Sequence, residues 1–339
     1  MKLRNSYLIQ NKKINQKNEN FFIFLDLASF RATWDIIAFL ILARIKATNK
    51  ETHIIIIPDI NEITEINPAK EKGALEKNAK KIRVDNIIKP TLELIEGFNP
   101  KITFLNNRNE LDNYINVDPE YKFPNYAHPG EIIKWYPPQK EINKLFLNEK
   151  KFYSVKADIH YKELLNEYIK INNIKKKIIT ITLRQSSFNK SKNSSMDDWI
   201  KLYYYLESAN YFPIILDDFE NLCINKKNHK LNSLNKYEYA NIDLRMRLAL
   251  YEKSYLNISV NNGPVSLLVY SRRCNYIIFK HFVDDPESSS SLENNIKTNG
   301  LQFGEQYPFA TKKQKIIWSQ NDNFEYLKEE VNKHLINLD

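Results

Sequence analysis

Short unbroken apolar runs alternate with polar turns along this chain. Phe21-Phe22-Ile23-Phe24-Leu25, His53-Ile54-Ile55-Ile56-Ile57 and Lys101-Ile102-Thr103-Phe104-Leu105 have the continuous hydrophobicity of strands covered on both faces of a parallel sheet. Between them the pattern predicts a helix from Trp34 to about Ala47 with Thr33 as its cap, and helices over Ala74–Ile82 and Pro90–Phe98. Residues 121–138 are rich in Pro and carry His128, Gly130, Trp135 and Tyr136, which reads as loop. A helix over Tyr153–Ile171 leads away from it.

The same alternation then resumes. Strands are expected at Lys177–Leu183, Phe212–Leu216, Tyr255–Val260, Tyr276–Phe279 and Ile316–Trp318. Helices are expected from Asp197 to Ser208, over Asn241–Tyr251 with Leu244, Leu248 and Leu250 inward, from Val265 onward, and over Asn323–Leu335. The run Ser288–Ser291 reads as a loop. The fold class is therefore α/β: two Rossmann-like, doubly wound parallel-sheet domains, residues 1–150 and 151–322, followed by a helix in 323–339.

Composition supports this picture. A chain of 339 residues with 42% hydrophobic and 12% aromatic content holds core material for two domains. The net charge of +9 suits nucleic acid, anionic lipid or a phosphorylated ligand. The lysines are spread out rather than clustered, and no zinc-finger spacing or aromatic RNA-binding signature occurs, so nucleic acid is not an expected partner. The two cysteines, Cys223 and Cys274, lack metal or disulfide spacing and suit a reducing, cytoplasmic setting. Residues 1–20 have no apolar signal core. The longest apolar run, Ile36–Ile45, is too short to span a bilayer.

Several chemistries lack their motif. No G-x-x-x-x-G-K-[ST] loop, no G-x-G-x-x-G after the first strand, and no H-E-x-x-H or G-x-S-x-G is present. Open parallel sheets bind ligands beyond the carboxyl ends of their strands. The polar residues at those ends are Asp26, Ser29, Arg31, Asp35, Asp59, Asn106 and Asn107 in the first half. In the second they are Arg184, Gln185, Ser186, Asp217, Asp218, Asn261, Asn262, Gly263, Lys280 and His281. A guanidinium, a lysine, a glycine turn and a helix start together suit a diphosphate. Each has a plainer alternative. Arg184 could pair with Asp217 or Asp218, Asp26 could cap a turn, and His128 and His281 could be ordinary satisfied histidines.

Two stretches resemble known groups. Ile179-Thr180-Ile181-Thr182-Leu183-Arg184 is similar to the strand and phosphate-contacting arginine of the GDP-fucose fucosyltransferases. Ser259-Val260-Asn261-Asn262-Gly263-Pro264-Val265-Ser266 is similar to the Gly-Pro helix start of the ADP-heptose heptosyltransferases, with Ser266 where that pattern has His. The resemblance is to two-domain GT-B glycosyltransferases. It implies two domains facing across a cleft, with the final helix returning toward the first.

It also implies a nucleotide-sugar donor held by Arg184, Gln185, Asp217, Asn261, Asn262, Gly263, Pro264, Ser266 and Lys280, with no metal and no further cofactor. Transfer would invert the anomeric carbon, with Asp26 or Asp35 as base. The acceptor would be a glycan or lipid-linked glycan of the cell envelope; from the net charge alone, peripheral contact with an anionic membrane is also expected. A non-catalytic nucleotide-sugar or carbohydrate binding protein and a nucleotide-sugar epimerase use the same scaffold and stand as alternatives.

Overall fold

The computed structural model describes residues 20–30, 33–58, 82–114, 116–125, 138–186, 189–217 and 229–338. Arg31, Asp59, His128, Trp135, Tyr136, Asp218, Cys223 and nearly all of the helix expected over Ala74–Ile82 lie outside the described residues. The chain forms two compact units. The first comprises residues 1–30, 46–62 and 100–135, and the second 31–45, 63–99 and 136–339. The segments 31–45, 63–99 and 136–150 group with the second unit.

The first unit holds a four-stranded parallel sheet of β1 (Asn20–Asp26), β2 (Glu51–Ile57), β3 (Lys101–Phe104) and β4 (Lys122–Phe123), in the order β3-β2-β1-β4. Phe22 and Phe24 of β1 and Ile55 and Ile57 of β2 pack with Leu105, Leu111 and Val117. β3 is an edge strand with every residue exposed. β4 lies in the stretch expected to be loop. It pairs Phe22 with Lys122 and Ile23 with Phe123, and a two-residue strand leaves no periodicity to read.

The second unit holds β5 (Ile178–Thr182), β6 (Phe212–Leu216), β7 (Leu256–Val260), β8 (Tyr276–Phe279) and β9 (Gln314–Ile316), all parallel, in the order β6-β5-β7-β8-β9. Both sheets are thus parallel α/β layers, as the apolar runs predict.

The helices follow mostly from their caps. In α1 (Ile36–Ala47), apolar residues lie all round and Ile36–Ala43 are all buried, the signature of an interior helix. The helix expected over Pro90–Phe98 is displaced. A π-helical turn over Val84–Ile88 runs into α2 (Lys89–Thr91), where Pro90 sits at the start, and Ile95 instead bridges to Val155. A helix that the apolar pattern did not announce, α3 (Gln139–Glu149), precedes α4 (Ile159–Ile171).

Asp158 caps α4 through the His160 N–H at 2.8 Å, so the helix starts later than Tyr153. After α5 (Met196–Ser208), the stretch expected to be one helix is two, α6 (Glu238–Ile242) and α7 (Leu244–Lys253). Asp243 breaks them and accepts the Arg245 N–H at 2.8 Å. α8 (Val265–Val269) follows β7, and α9 (Leu292–Thr298) follows the serine run with Ser291 as its cap. In α10 (Phe324–Ile336), Leu327, Val331 and Leu335 join Trp199, Leu202 and Leu206 of α5 in one core cluster. The apolar stripe of α10 thus packs into the second unit's core.

Candidate functional site

The order β6-β5-β7-β8-β9 contains a reversal. From β5 the chain moves outward to β6, then crosses back to lay β7 on the opposite side of β5. Connections on either side of β5 and β7 therefore diverge, and the crevice at their carboxyl ends is where open α/β sheets take ligands. Arg184 follows β5, and Asn261-Asn262-Gly263 follows β7. Register pairs Thr182 with Ser259, which brings the two ends level.

The loop after β5 closes on itself. The Arg184 N–H donates to Ser194 Oγ and the Ser194 N–H donates back to the Arg184 carbonyl, both at 3.0 Å. Gln185 Nε2 donates to the Ser194 carbonyl at 2.9 Å, and Ser186 and Asn193 exchange two bonds at 3.0 and 2.9 Å. This ladder folds Lys192 inward. Lys192 is 8% exposed, as is Arg184, and its Nζ donates to Ser289 Oγ at 3.1 Å.

Burial first, and the Arg184 guanidinium second, push the Lys192 ammonium down to about 7, with Asp35 acting the other way. Two cations are thus held together out of water, a situation that favours an anion. His281, also buried, is lowered to about 3 by burial and by Lys192, so it is neutral at physiological pH.

Lys280 is engaged by its neighbours. Its Nζ lies 2.9 Å from Asp322 Oδ1 and donates to the Asn193 carbonyl at 2.6 Å. Asp322 also accepts from Ser195 N (2.8 Å), Ser195 Oγ (2.6 Å) and Trp199 Nε1 (2.8 Å). Burial raises the Asp322 carboxyl, but these bonds outweigh it and hold the group below the usual carboxylate range. Lys280 therefore serves as a post beneath the loop, at a left-handed φ of 54°.

At the β7 end, the Asn261 N–H bonds to the Phe279 carbonyl at 2.8 Å, and Asn261 Nδ2 donates to Ser290 Oγ at 2.9 Å. Gly263 does not adopt a positive φ. Its smallness answers instead to Trp34, because a Cβ there would lie 2.0 Å from Trp34 Cδ1. Pro264 stands at the cap of α8, and the Ser266 N–H donates to the Gly263 carbonyl at 3.1 Å. Asp35, beside Trp34, accepts from Thr33 Oγ1 and Gln139 Nε2, both at 3.0 Å.

Asp217, at the end of β6, is buried. Its N–H donates to Asn241 Oδ1 at 3.1 Å, and Arg247 Nη2 reaches its carbonyl at 3.4 Å. Asp26 lies in the first unit, where Arg108 grips both carboxylate oxygens at 2.8 Å.

Reasoning from strand ends did not put Lys192, Trp34, Asn193 or Asp322 among the site residues. Lys192 sits eight positions past Arg184 in a polar loop, and only the closure of that loop buries it. Among the described residues no group of three or more His, Cys, Asp or Glu side chains is placed to hold a metal ion. No helix among them is long and apolar enough to cross a membrane. The Cys274 thiol is pushed up to about 12 by burial.

No protein-family model matches the chain, and no curated protein matches it in sequence. Solved structures do resemble it. A glycosyl transferase family 9 protein from Veillonella parvula aligns with a TM-score of 0.49 at 11% identity, over 94% of this chain and 97% of that one. The E. coli ADP-heptose LPS heptosyltransferase II aligns at 0.44 and 11% identity, over 93% and 98%. The Methanocaldococcus jannaschii UDP-GlcNAc 2-epimerase, solved with UDP-GlcNAc and UDP, aligns at 0.38 and 15% identity, over 93% and 92%. Each alignment runs over nearly the whole length of both chains.

Proposed function

We propose that this chain is a glycosyltransferase that moves a sugar from a nucleotide-sugar donor to a glycan or lipid-linked acceptor. The observation that carries this reading is the buried pair Arg184 and Lys192 in the segment that follows β5. Two cations kept from water beside one another are costly unless an anion joins them, and a diphosphate supplies more than one negative oxygen to a fork and a point charge.

In this mechanism the acceptor hydroxyl oxygen attacks the anomeric carbon from the side opposite the leaving group. The bond from that carbon to the diphosphate oxygen breaks, and the configuration inverts. Arg184 and Lys192 take up the charge that grows on the departing phosphate. The hydroxyl proton passes to a carboxylate. Asp35 and Asp26 are the candidates, and Asp35 is favoured because Arg108 already engages both oxygens of Asp26.

The test is a thermal-shift panel of ADP, GDP, UDP and CDP. At about 100 times its dissociation constant a ligand adds about 2.7 kcal/mol of stability, a shift of several degrees. Arg184→Ala should abolish the shift, and Asp35→Asn should keep it while transfer stops. No shift with any nucleotide in the wild type overturns the proposal. A second reading, a nucleotide-sugar binding protein without catalysis, is favoured by the engagement of Asp35 with Thr33 and Gln139. Binding without transfer to any acceptor would select it.

A further inference from the structure

The Gly263 turn is occupied by an aromatic ring. A Cβ on Gly263 would lie 2.0 Å from Cδ1, 2.7 Å from Nε1 and 2.8 Å from Cγ of Trp34, so the five-membered ring of the indole rests directly on the turn. Trp34 is only half-buried. Among the described residues no hydrogen bond takes its indole N–H. Beside this contact, Asn262 keeps Oδ1 buried without any hydrogen-bond partner. A buried acceptor left unanswered is destabilising, and it stands one residue from the glycine on which the indole sits. Asp35, next to Trp34 in the chain, brings a carboxylate to the same place and acts electrostatically on Lys192.

A diphosphate does not answer these groups. Its phosphates have no hydrogen to donate to Asn262 Oδ1 and no apolar face to lay on an indole; the ribose and nucleobase attached to them have both, a case that equal loss of diphosphate and nucleotide-sugar affinity in Trp34→Ala would reveal. A pyranose has both, with C–H bonds across its faces and hydroxyls around its rim, which is why aromatic surfaces edged by a few polar atoms accept sugars. We infer that Trp34 and Asn262 form a subsite for a sugar ring, adjoining the cations Arg184 and Lys192. The inference rests on the reading of those cations as the holders of a diphosphate. It assigns the ring platform to Trp34, which stands in neither motif, and it gives Gly263 a second purpose: its lack of a side chain lets the platform lie close to the phosphate end.

The experiment is calorimetric titration of the full chain with ADP, GDP and UDP, and with ADP-glucose, GDP-mannose and UDP-glucose, for wild type, Trp34→Ala and Trp34→Phe. Tryptophan fluorescence is recorded alongside, and folding is checked by melting temperature. The expected result is that a nucleotide-sugar binds more tightly than its nucleoside diphosphate. Trp34→Ala should erase that advantage, a loss of about tenfold, while the diphosphate alone keeps its affinity within about twofold. Trp34→Phe should restore most of the difference, and the sugar-dependent fluorescence change should vanish in both variants.

Equal loss of diphosphate and nucleotide-sugar affinity in Trp34→Ala would make Trp34 a mere prop and overturn the subsite. So would an unchanged sugar advantage. If no nucleotide binds the wild type but methyl glycosides still quench Trp34, the diphosphate reading fails and the subsite stands. If neither binds, both fall.

Discussion

The two sheets end in opposite electrostatics. In each, the chain order reverses next to a central strand: β1 lies between β2 and β4, and β5 between β6 and β7. In the first unit the charge at that position, Asp26, is met by its own arginine. Arg108 binds it with two bonds of 2.8 Å while the carboxylate side chain is only 1% exposed. In the second unit two neighbouring buried charges, Arg184 and Lys192, are alike, while Lys280 there is met by Asp322. Arg184 lowers Lys192 rather than neutralising it. Equivalent topology thus yields one end built on an opposite-charge pair and one that sets two like charges side by side. A strand end is a place where a ligand can bind, and the sign and pairing of its charges decide whether one is needed.

The largest effect should come from breaking the opposite-charge pair. Arg108→Ala leaves Asp26 buried without its guanidinium and should cost about 3–5 kcal/mol in urea unfolding. A cost below about 1 kcal/mol would mean that the pairing contributes nothing to the contrast. Next comes Gly263→Ala, whose methyl must displace Trp34. It should destabilise by about 1–3 kcal/mol, and Trp34→Ala in the same chain should recover most of that loss. Failure of the double variant to recover would break the assignment of Gly263 to close packing.

The smallest effect concerns pH. The folded Lys192 titrates at about 7, below its ordinary 10.5, so the folded state binds fewer protons than the unfolded one between those values. The penalty is fully present below pH 7 and is relieved as pH rises toward 10.5. Wild-type stability relative to Lys192→Met should therefore grow from pH 7 to 9 in the free protein. A bound diphosphate, by restoring the ammonium, should flatten that difference. A rise that persists unchanged with ligand bound would separate Lys192 from the anion.

The apolar runs Phe21–Leu25 and Ile54–Ile57 made the parallel strands legible, because a strand buried on both faces cannot hide its composition. Arg184 and Gly263-Pro264 were legible as strand-end residues for the same reason, since their places follow from where the runs stop. What escaped depends on long-range closure. β4 is two residues held only by β1. Lys280 looks in sequence like a ligand for phosphate, and its bridge to Asp322 is not announced there. Trp34 precedes a helix far from β7 in the chain, and nothing local signals that its indole sets the size of residue 263. Nor does chain order signal that the segments 31–45 and 63–99 group by contact with the second unit.

The bridge from Asp322 to Lys280, Ser195 and Trp199 bears on how the protein is made. Asp322 lies beyond β9, so a ribosome that has delivered all five strands of the second sheet has still not delivered the residue that holds the Arg184–Lys192 loop in place. A growing chain can assemble the sheet early, but the Arg184–Lys192 loop is held in place only once that late aspartate emerges. Ordering of that loop should therefore be among the last steps that the newborn polypeptide completes.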